Sequence, residues 1–284
     1  MKIGMIDVGG GMRGAFGCGV MDRCLDDGIM VDYGIGVSAG SANLVTYFAH
    51  QKGRCRQFYT DFAFRKEYMS FSNILHGRSY LDLDYIYGTL SNSNGEYPLD
   101  FARAKAENKE FYIVACNAVT GAPKYFTLAD GMAADHYDAL KASSCVPIAS
   151  KPFVIDGVPY VDGSLADPIP LDKALADGCD KVILILTKPK EHITQSTAYR
   201  LSEKWLRRKG YPKAADGMHE KSERYNAALD KAMQLEKEGK VLIVAPRSIE
   251  GMQTLKKDHK AIDDLYRKGY EEGGKLKAFL NENE

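Results

Sequence analysis

The sequence has no excess of either charge. Its 38 lysines and arginines balance its 38 aspartates and glutamates, so the formal net charge at pH 7 is zero. A protein that binds nucleic acid or an anionic bilayer through its overall charge carries a basic excess, which this chain lacks. We therefore expect no nucleic-acid partner, and any contact with a membrane must come from a local surface.

Long apolar runs are also missing. No window approaches the roughly 18 to 20 consecutive apolar residues of a membrane-spanning helix. The first residues carry one lysine and are interrupted by Asp7, which is unlike a secretory signal and typical of a first strand. We expect a soluble, cytoplasmic protein, and we hold peripheral contact with a membrane as a hypothesis.

Close pairs of cysteines are absent. The six cysteines stand singly, without the spacing of zinc sites or redox motifs, and they are predicted to be reduced packing residues. The stretch Asp135-His136-Tyr137-Asp138 holds two carboxylates and one imidazole, but such a group is more typical of a polar helix start. The sequence therefore predicts neither a metal site nor a cofactor.

What the sequence does contain is an alternation of strand and helix signals. This order predicts an α/β fold in which a mostly parallel sheet lies between layers of helices. Strands are predicted at residues 2–8, 31–37, 111–118, 158–161, 181–187 and 240–245, and helices at residues 15–26 and 41–51.

Composition divides the chain near residue 190. Most strand signals lie in residues 1–190, where we predict the main domain. Residues 191–284 are rich in lysine, glutamate and arginine at helical spacing, which predicts a helix-rich extension packed on the same domain. Residues 64–98 show no clear period, and we interpret them as a flexible cover over a site.

A candidate nucleophile follows the second predicted strand. Residues 36–40 fit the nucleophile elbow G-x-S-x-G, with Ser38 at its centre and a predicted helix after it. The sharp turn places the serine in a strained conformation, and only very small residues, here Gly36 and Gly40, let the flanking backbone pass. The helix N-terminus also favours the negative charge that develops in acyl transfer.

A glycine-rich loop follows the first predicted strand. Residues 9–14 match G-x-G-x-x-G, the loop that binds dinucleotide phosphates, and Asp32 follows at the distance of a ribose-binding acid. That acid belongs at the end of the second strand, however, whereas Asp32 lies near its start. A run of backbone N–H groups directed at an oxyanion is the other interpretation. Because both loops follow neighbouring strands, we expect them to face each other across one sheet edge.

A serine hydroxyl needs a base to accept its proton. Asp162 follows a short predicted strand, and Gly163 permits a tight turn that aims the carboxylate. Most Asp-Gly pairs are plain turns, so this signal depends on the other two.

Together, the glycine loop, the elbow and Asp162-Gly163 occur in the order and contexts found in the patatin-like phospholipases, which the first two-thirds of the chain resembles. The resemblance implies a patatin-like catalytic domain at 1–190 and a lipid ester substrate. It also implies a Ser38-Asp162 dyad that forms an acyl-enzyme intermediate. The implied oxyanion hole comprises Gly9, Gly10, Gly11 and Met12, and the supporting motif residues are Arg13, Gly14, Gly36, Gly40 and Gly163. Ser164 departs from the Gly or Ala usual in the family and is expected to fit a surface turn.

Two other functions remain open. Ser38, Asp162 and His192 occur in the chain order of a Ser-His-Asp triad, although the elbow comes earlier than in the α/β-hydrolases. A non-catalytic module that binds a dinucleotide through residues 9–14 is the second alternative. As a separate hypothesis, the basic segment 201–208, which contains Trp205, is an interfacial helix that touches lipid.

Overall fold

A computed structural model of the chain describes residues 1–281, which form one eight-stranded sheet with helices packed against it. The strands are β1 (Ile3–Asp7), β2 (Tyr33–Val37), β3 (Glu110–Asn117), β4 (Pro123–Thr127), β5 (Phe153–Ile155), β6 (Val158–Asp162), β7 (Lys181–Ile185) and β8 (Val241–Val244). The helices are α1 (Ala15–Asp26), α2 (Ala39–Phe48), α3 (Arg54–Thr60), α4 (Phe71–Leu75), α5 (Phe101–Ala106), α6 (Asp138–Ser143), α7 (Leu171–Ala176), α8 (Thr197–Arg208), α9 (Pro212–Lys237), α10 (His259–Gly273) and α11 (Leu276–Asn281).

The centre of the sheet is parallel. Strands β3, β2, β1, β7 and β8 lie side by side in the same direction, while β4 and β6 run antiparallel to β3. The fold class predicted from the sequence is therefore confirmed. All parallel strands end at one edge of the sheet, where loops from different βα units meet.

Strand β3 carries three neighbours on two edges. Strand β4 pairs with residues 112–116. Strand β2 pairs with residues 110–114 and β6 with residues 115–117. Both strands pair with residues of β3 that also pair with β4, whereas β2 and β6 share no residue of β3. Strands β2 and β6 must therefore share the edge opposite β4, where they meet end to end.

The two faces of the sheet bury separate cores because successive strand side chains point to opposite faces. Met5 and Ile183 pack in one core with helices α1 and α2, and Ile6 and Leu184 pack in the other. These side chains are fully buried. The continuous apolar runs of the central strands follow from this burial on both sides.

Residues beyond 190 complete the same sheet and contribute helices to the cores on both of its faces. Strand β8 pairs with β7, and helix α10 packs on α1 so closely that a Cβ on Gly269 would overlap the carbonyl oxygen of Phe16. The predicted division at residue 190 stays a prediction. Among residues 1–281, no helix combines the length and apolar character needed to cross a bilayer.

Candidate active site

Ser38 lies at a sharp turn between β2 and α2. Its backbone has φ 56° and ψ −129°, a strained conformation for a residue with a side chain, and the side chain is only 6% exposed. A Cβ on Gly36 would overlap the backbone of Ser41, and a Cβ on Gly40 would overlap the carbonyl oxygen of Asp7. The two glycines of the motif are therefore required by close backbone contacts.

The turn is held from a distant part of the chain. The Ser38 N–H donates to Ser143 Oγ at 2.8 Å, and the Ser143 hydroxyl donates to the Val114 carbonyl at 2.6 Å. Ser143 lies in α6, 105 residues away in sequence. It is a part of the site that no motif in the sequence indicated.

The glycine loop packs directly on this turn. Gly9, Gly10 and Gly11 all have positive φ, of 65°, 123° and 59°. A Cβ on Gly9 would lie 3.0 Å from the Ala39 nitrogen and would overlap the carbonyl oxygen of Val37. Only glycine meets both requirements, which explains this motif without a nucleotide.

Not all N–H groups of the loop are free. Gly9 donates to Asp7 Oδ1 at 2.9 Å, and Met12 donates to the Thr254 carbonyl at 2.8 Å. Within residues 1–281, the N–H groups of Gly10 and Gly11 have no acceptor. Of the four residues predicted to form an oxyanion hole, these two have N–H groups available to a substrate.

Substitution at Gly9 tests how much the contact between loop and elbow matters. We expect Gly9→Ala to lose activity and about 3 kcal/mol or more of stability, because overpacking adds to the penalty for positive φ. Gly28→Ala is the matched control, since Gly28 has φ +69° and nothing within 4 Å of its Cβ position. It should lose only about 1 kcal/mol and keep full activity. Denaturant unfolding and ester hydrolysis measure both, and equal losses in the two variants would contradict the packing argument.

Asp7 is a fully buried carboxylate beneath the loop. It accepts from the Gly9 N–H and, at 2.9 Å, from Asn43 Nδ2. Burial raises the pKa of Asp7 from 3.8 to about 6, and these two hydrogen bonds only partly oppose it. The ionised form at neutral pH therefore costs about 3 kcal/mol. The protonated form of Asp7 is therefore the one that favours the folded state. This contribution to stability is complete below the ordinary pKa of 3.8 and is lost as the pH rises through about 6.

Asp162 and Ser38 meet at the shared edge of β3. Val37 pairs with Val114, and Asp162 pairs with Ala115, the next residue of the same strand. Strand residues advance about 3.3 Å each, so the ends of β2 and β6 lie one step apart along that edge. Gly163 turns the chain away here, since a Cβ on it would overlap the carbonyl oxygen of Val114. The structure thus brings together two residues that are 124 positions apart in the sequence.

The Asp162 carboxylate is held on one oxygen. Its Oδ1 accepts from the Ser164 N–H at 2.9 Å and from the Ser164 hydroxyl at 2.6 Å. The Ser164 hydroxyl in turn accepts from Lys221 Nζ at 2.6 Å. Ser164 therefore does more than fill the expected surface turn, and within residues 1–281 Asp162 Oδ2 is left without a hydrogen-bond partner.

An apolar cavity opens at Ser38. Gly11 and Met12 of the glycine loop line it together with Ser38. Most of its remaining wall comes from α2, α3 and the segment 64–98, which contributes Tyr68, Met69, Leu81, Leu83, Ile86 and Tyr87. The part of the sequence with no clear period therefore forms one side of the cavity wall.

The geometry disfavours both alternatives that the sequence left open. Asp32 accepts from the Ile3 N–H at 3.1 Å at the start of β1, the opposite end from the glycine loop, so it is misplaced for a ribose. His192 is exposed and lies 2.7 Å from Asp230. No histidine within residues 1–281 hydrogen-bonds to Ser38 or Asp162.

Residues 8–175, more than half of the chain, match the family described as patatin-like phospholipase. The chain belongs to the patatin-like phospholipase family, which confirms the resemblance seen in the three motifs. Membership supports a lipid acyl hydrolase at the level of the family. Residues 211–282 match a second family, described as a domain of unknown function (DUF6363).

Two individual proteins are similar to this chain. The uncharacterized protein YjjU of Escherichia coli K12 is 28% identical over 210 residues, which are 72% of this chain and 57% of that protein. The crystal structure of VipD from Legionella pneumophila covers 97% of this chain and 66% of that chain, with 12% identity and a TM-score of 0.48. This chain spans less than two thirds of the length of either protein.

Proposed function

We propose that the protein is a serine hydrolase of lipid esters, with Ser38 as nucleophile and Asp162 as base. The observation that carries the proposal is the meeting of these two residues at one edge of β3, beside a glycine loop with two free N–H groups. The strained backbone of Ser38 is the second support, because such strain is retained at functional sites.

Each group has one task in the reaction. Ser38 Oγ bonds to the ester carbonyl carbon while its proton passes to Asp162 Oδ2. The carbonyl oxygen becomes negative and accepts from the N–H groups of Gly10 and Gly11. The bond to the alcohol then breaks, the alcohol leaves with the proton from Asp162, and the acyl group stays on Ser38. Water attacks this acyl-enzyme by the same steps and releases the fatty acid.

The cavity indicates which part of the substrate lies where. Its wall is dominated by side chains such as Leu81, Leu83 and Ile86, so it suits the acyl chain of the ester. Burial of each methylene of a chain in such a wall contributes about 0.8 kcal/mol. We therefore expect kcat/KM to favour acyl chains that reach into the cavity.

Labelling with a fluorophosphonate tests the proposal directly. This reagent reacts with activated serine hydroxyls, so the intact protein should gain the mass of one adduct, on the peptide that contains Ser38. An adduct on another serine, or none on well-folded protein, would contradict the proposed nucleophile. In that case, thermal stabilisation by NAD or NADP would be the next measurement.

The proposal includes contact with a lipid surface through α4. Phe71, Ile74 and Leu75 occupy one face of this short helix and are 77%, 50% and 87% exposed. The helix begins two residues after Met69, which lines the cavity, so the proposed contact places the lipid surface beside the cavity wall. In the basic segment 201–208, Trp205 is half-buried against a core cluster, and Arg207 is paired with Glu203 and Asp216.

We expect a Phe71→Ser, Leu75→Ser variant to bind phosphatidylcholine vesicles at least tenfold more weakly than the wild type. Each large apolar side chain buried in the interface contributes about 1.5 to 3 kcal/mol. Leu201→Ser is the matched control, because Leu201 is 54% exposed but lies on α8. Vesicle sedimentation measures binding. Weakened binding in the control, with unchanged binding in the α4 variant, would move the contact to α8.

A further inference from the structure

Three cations without ion-pair partners lie close to Tyr199, and one of them, Lys221, is linked to Asp162 through Ser164. Arg13 comes from the glycine loop, Lys188 follows β7, and Lys221 lies in α9. Within residues 1–281, none of the three forms an ion pair with a carboxylate. Arg13 is only 7% exposed, and its Nε is buried with no hydrogen-bond partner. Lys188 and Lys221 are half-buried. Burying positive charge without an anion is costly, which indicates that an anion belongs among these side chains.

Tyr199 of α8 joins the three cations into one cluster. Lys221 Nζ lies 5.2 Å from the centre of its ring. Burial raises the pKa of the Tyr199 phenol, yet the positive charges of Lys221, Lys188 and Arg13 outweigh that effect and the pKa falls below its ordinary value. The four side chains therefore act on one another, and we call them the cationic cluster.

The cluster adjoins the proposed site of reaction but not the apolar cavity. Lys221 donates to Ser164, which donates to Asp162. On the other side, a Cβ on Gly10 would lie 3.1 Å from an Arg13 guanidinium nitrogen. None of the four residues lines the apolar cavity. A substrate with its ester at Ser38 would thus place its acyl chain in the cavity and its head group at the cluster.

Charge indicates which head group fits. Three positive charges face the single negative charge of Asp162, so the cluster keeps a positive excess near two. A phosphate monoester carries about −1.5 to −2 at neutral pH and has three acceptor oxygens. A phosphocholine group carries one negative charge and would bring its own ammonium group close to the lysines.

We propose that Arg13, Lys188, Tyr199 and Lys221 bind the phosphate monoester head group of a lipid substrate whose ester is cleaved at Ser38. The inference rests on the proposed hydrolase function and adds its head-group selectivity. Two of the four residues, Tyr199 and Lys221, come from α8 and α9, and Lys221 lies in the region matched by the family of unknown function. That region then contributes to choice of substrate.

The test compares two short-chain lysolipids with the same octanoyl chain, used as monomers. One has a phosphate monoester head group and the other has phosphocholine. The wild type should give a kcat/KM for the monoester at least about tenfold higher than for the phosphocholine lipid. The reason is that the monoester accepts stronger charge-assisted hydrogen bonds from the cationic cluster. In Lys188→Gln this ratio should fall about tenfold, mainly through a higher KM for the monoester. Tyr199→Phe tests the same ratio without a change of charge and should lower it less.

Lys190→Gln is the matched control, since Lys190 lies two residues on and is paired with Glu236. Its ratio should equal that of the wild type.

A wild-type ratio near one, or an unchanged ratio in Lys188→Gln, would overturn the head-group assignment while hydrolysis itself persists. If the protein were not a serine hydrolase at all, neither lysolipid would be cleaved and Ser38 would not react with a fluorophosphonate. Inhibition by inorganic phosphate that Lys188→Gln relieves, without a change in the ratio, would assign the cluster to free phosphate and overturn the lipid assignment.

Discussion

Replacement of Ser38 by alanine is expected to lower kcat for ester hydrolysis by a factor on the order of 10³ to 10⁶, as removal of a nucleophile does in other serine hydrolases. The adduct with a fluorophosphonate should disappear in the same variant. Stability should change little, because the Ser38 hydroxyl has no hydrogen-bond partner within residues 1–281. Residual activity above a tenth of the wild-type value would exclude Ser38 as nucleophile.

A glycine at position 38 separates chemistry from backbone strain. Ser38→Gly should be as inactive as the alanine variant, yet about 1 kcal/mol more stable, because φ 56° suits glycine and penalises alanine. Denaturant unfolding of the two variants measures this difference. Equal stabilities would show that the elbow is not strained by its side chain.

Replacement of Asp162 by asparagine is the second large effect. It keeps the shape of the side chain but removes the base, so kcat should fall by a factor on the order of 10³ or more. The fold should persist, since an amide oxygen can still accept the two hydrogen bonds from Ser164. Fluorophosphonate labelling of Ser38 should slow in parallel. Normal rates of labelling and hydrolysis in this variant would remove Asp162 from the mechanism.

The dependence of rate on pH distinguishes the dyad from a triad. With an aspartate as base, replacing His192 should leave the profile of kcat/KM unchanged. An essential group near pH ~6.5 that disappears with a histidine would contradict the dyad.

Asp7, and not a histidine, is the group that we expect to titrate near pH 6, because burial raises the pKa of its carboxyl to about 6. As the pH falls through about 6, the carboxylate is protonated and its hold on the Gly9 N–H weakens, so activity should decline. Asp7→Asn mimics the protonated form and should be less active, with no step in the profile.

Much of the fold was predictable because the central strands are buried on both faces. Strands β3 and β7 were expected within two residues of their observed ends, and α1 matches its predicted range. The missed strands, β4 and β5, are partly exposed, so they lack a continuous apolar run. Helix α2 begins at Ala39, two residues earlier than predicted, because the turn at Ser38 leads directly into it.

The candidate site was predictable where its requirements are local. The positive φ of the glycine loop and the contact of Gly36 with Ser41 arise within single turns, and such needs leave a spacing in the sequence. Gly9 and Gly40 are also needed by contacts between the two loops. In the sequence, Asp162 is indicated by an Asp-Gly pair after a short strand, and such a pair alone is a weak signal. Its placement beside Ser38 depends on which edge of β3 carries β6.

The sequence by itself determined the parallel sheet, the glycine loop and the strained turn, because alternation and glycine spacing are properties of consecutive residues. Only the tertiary structure decided that Ser143 holds Ser38, that Lys221 reaches Asp162 through Ser164, and that Arg13, Lys188 and Tyr199 share one cluster. The first two contacts join residues 105 and 57 positions apart. A serine or lysine has the same local preferences whether or not such a partner arrives, so nothing in the neighbouring sequence marks it.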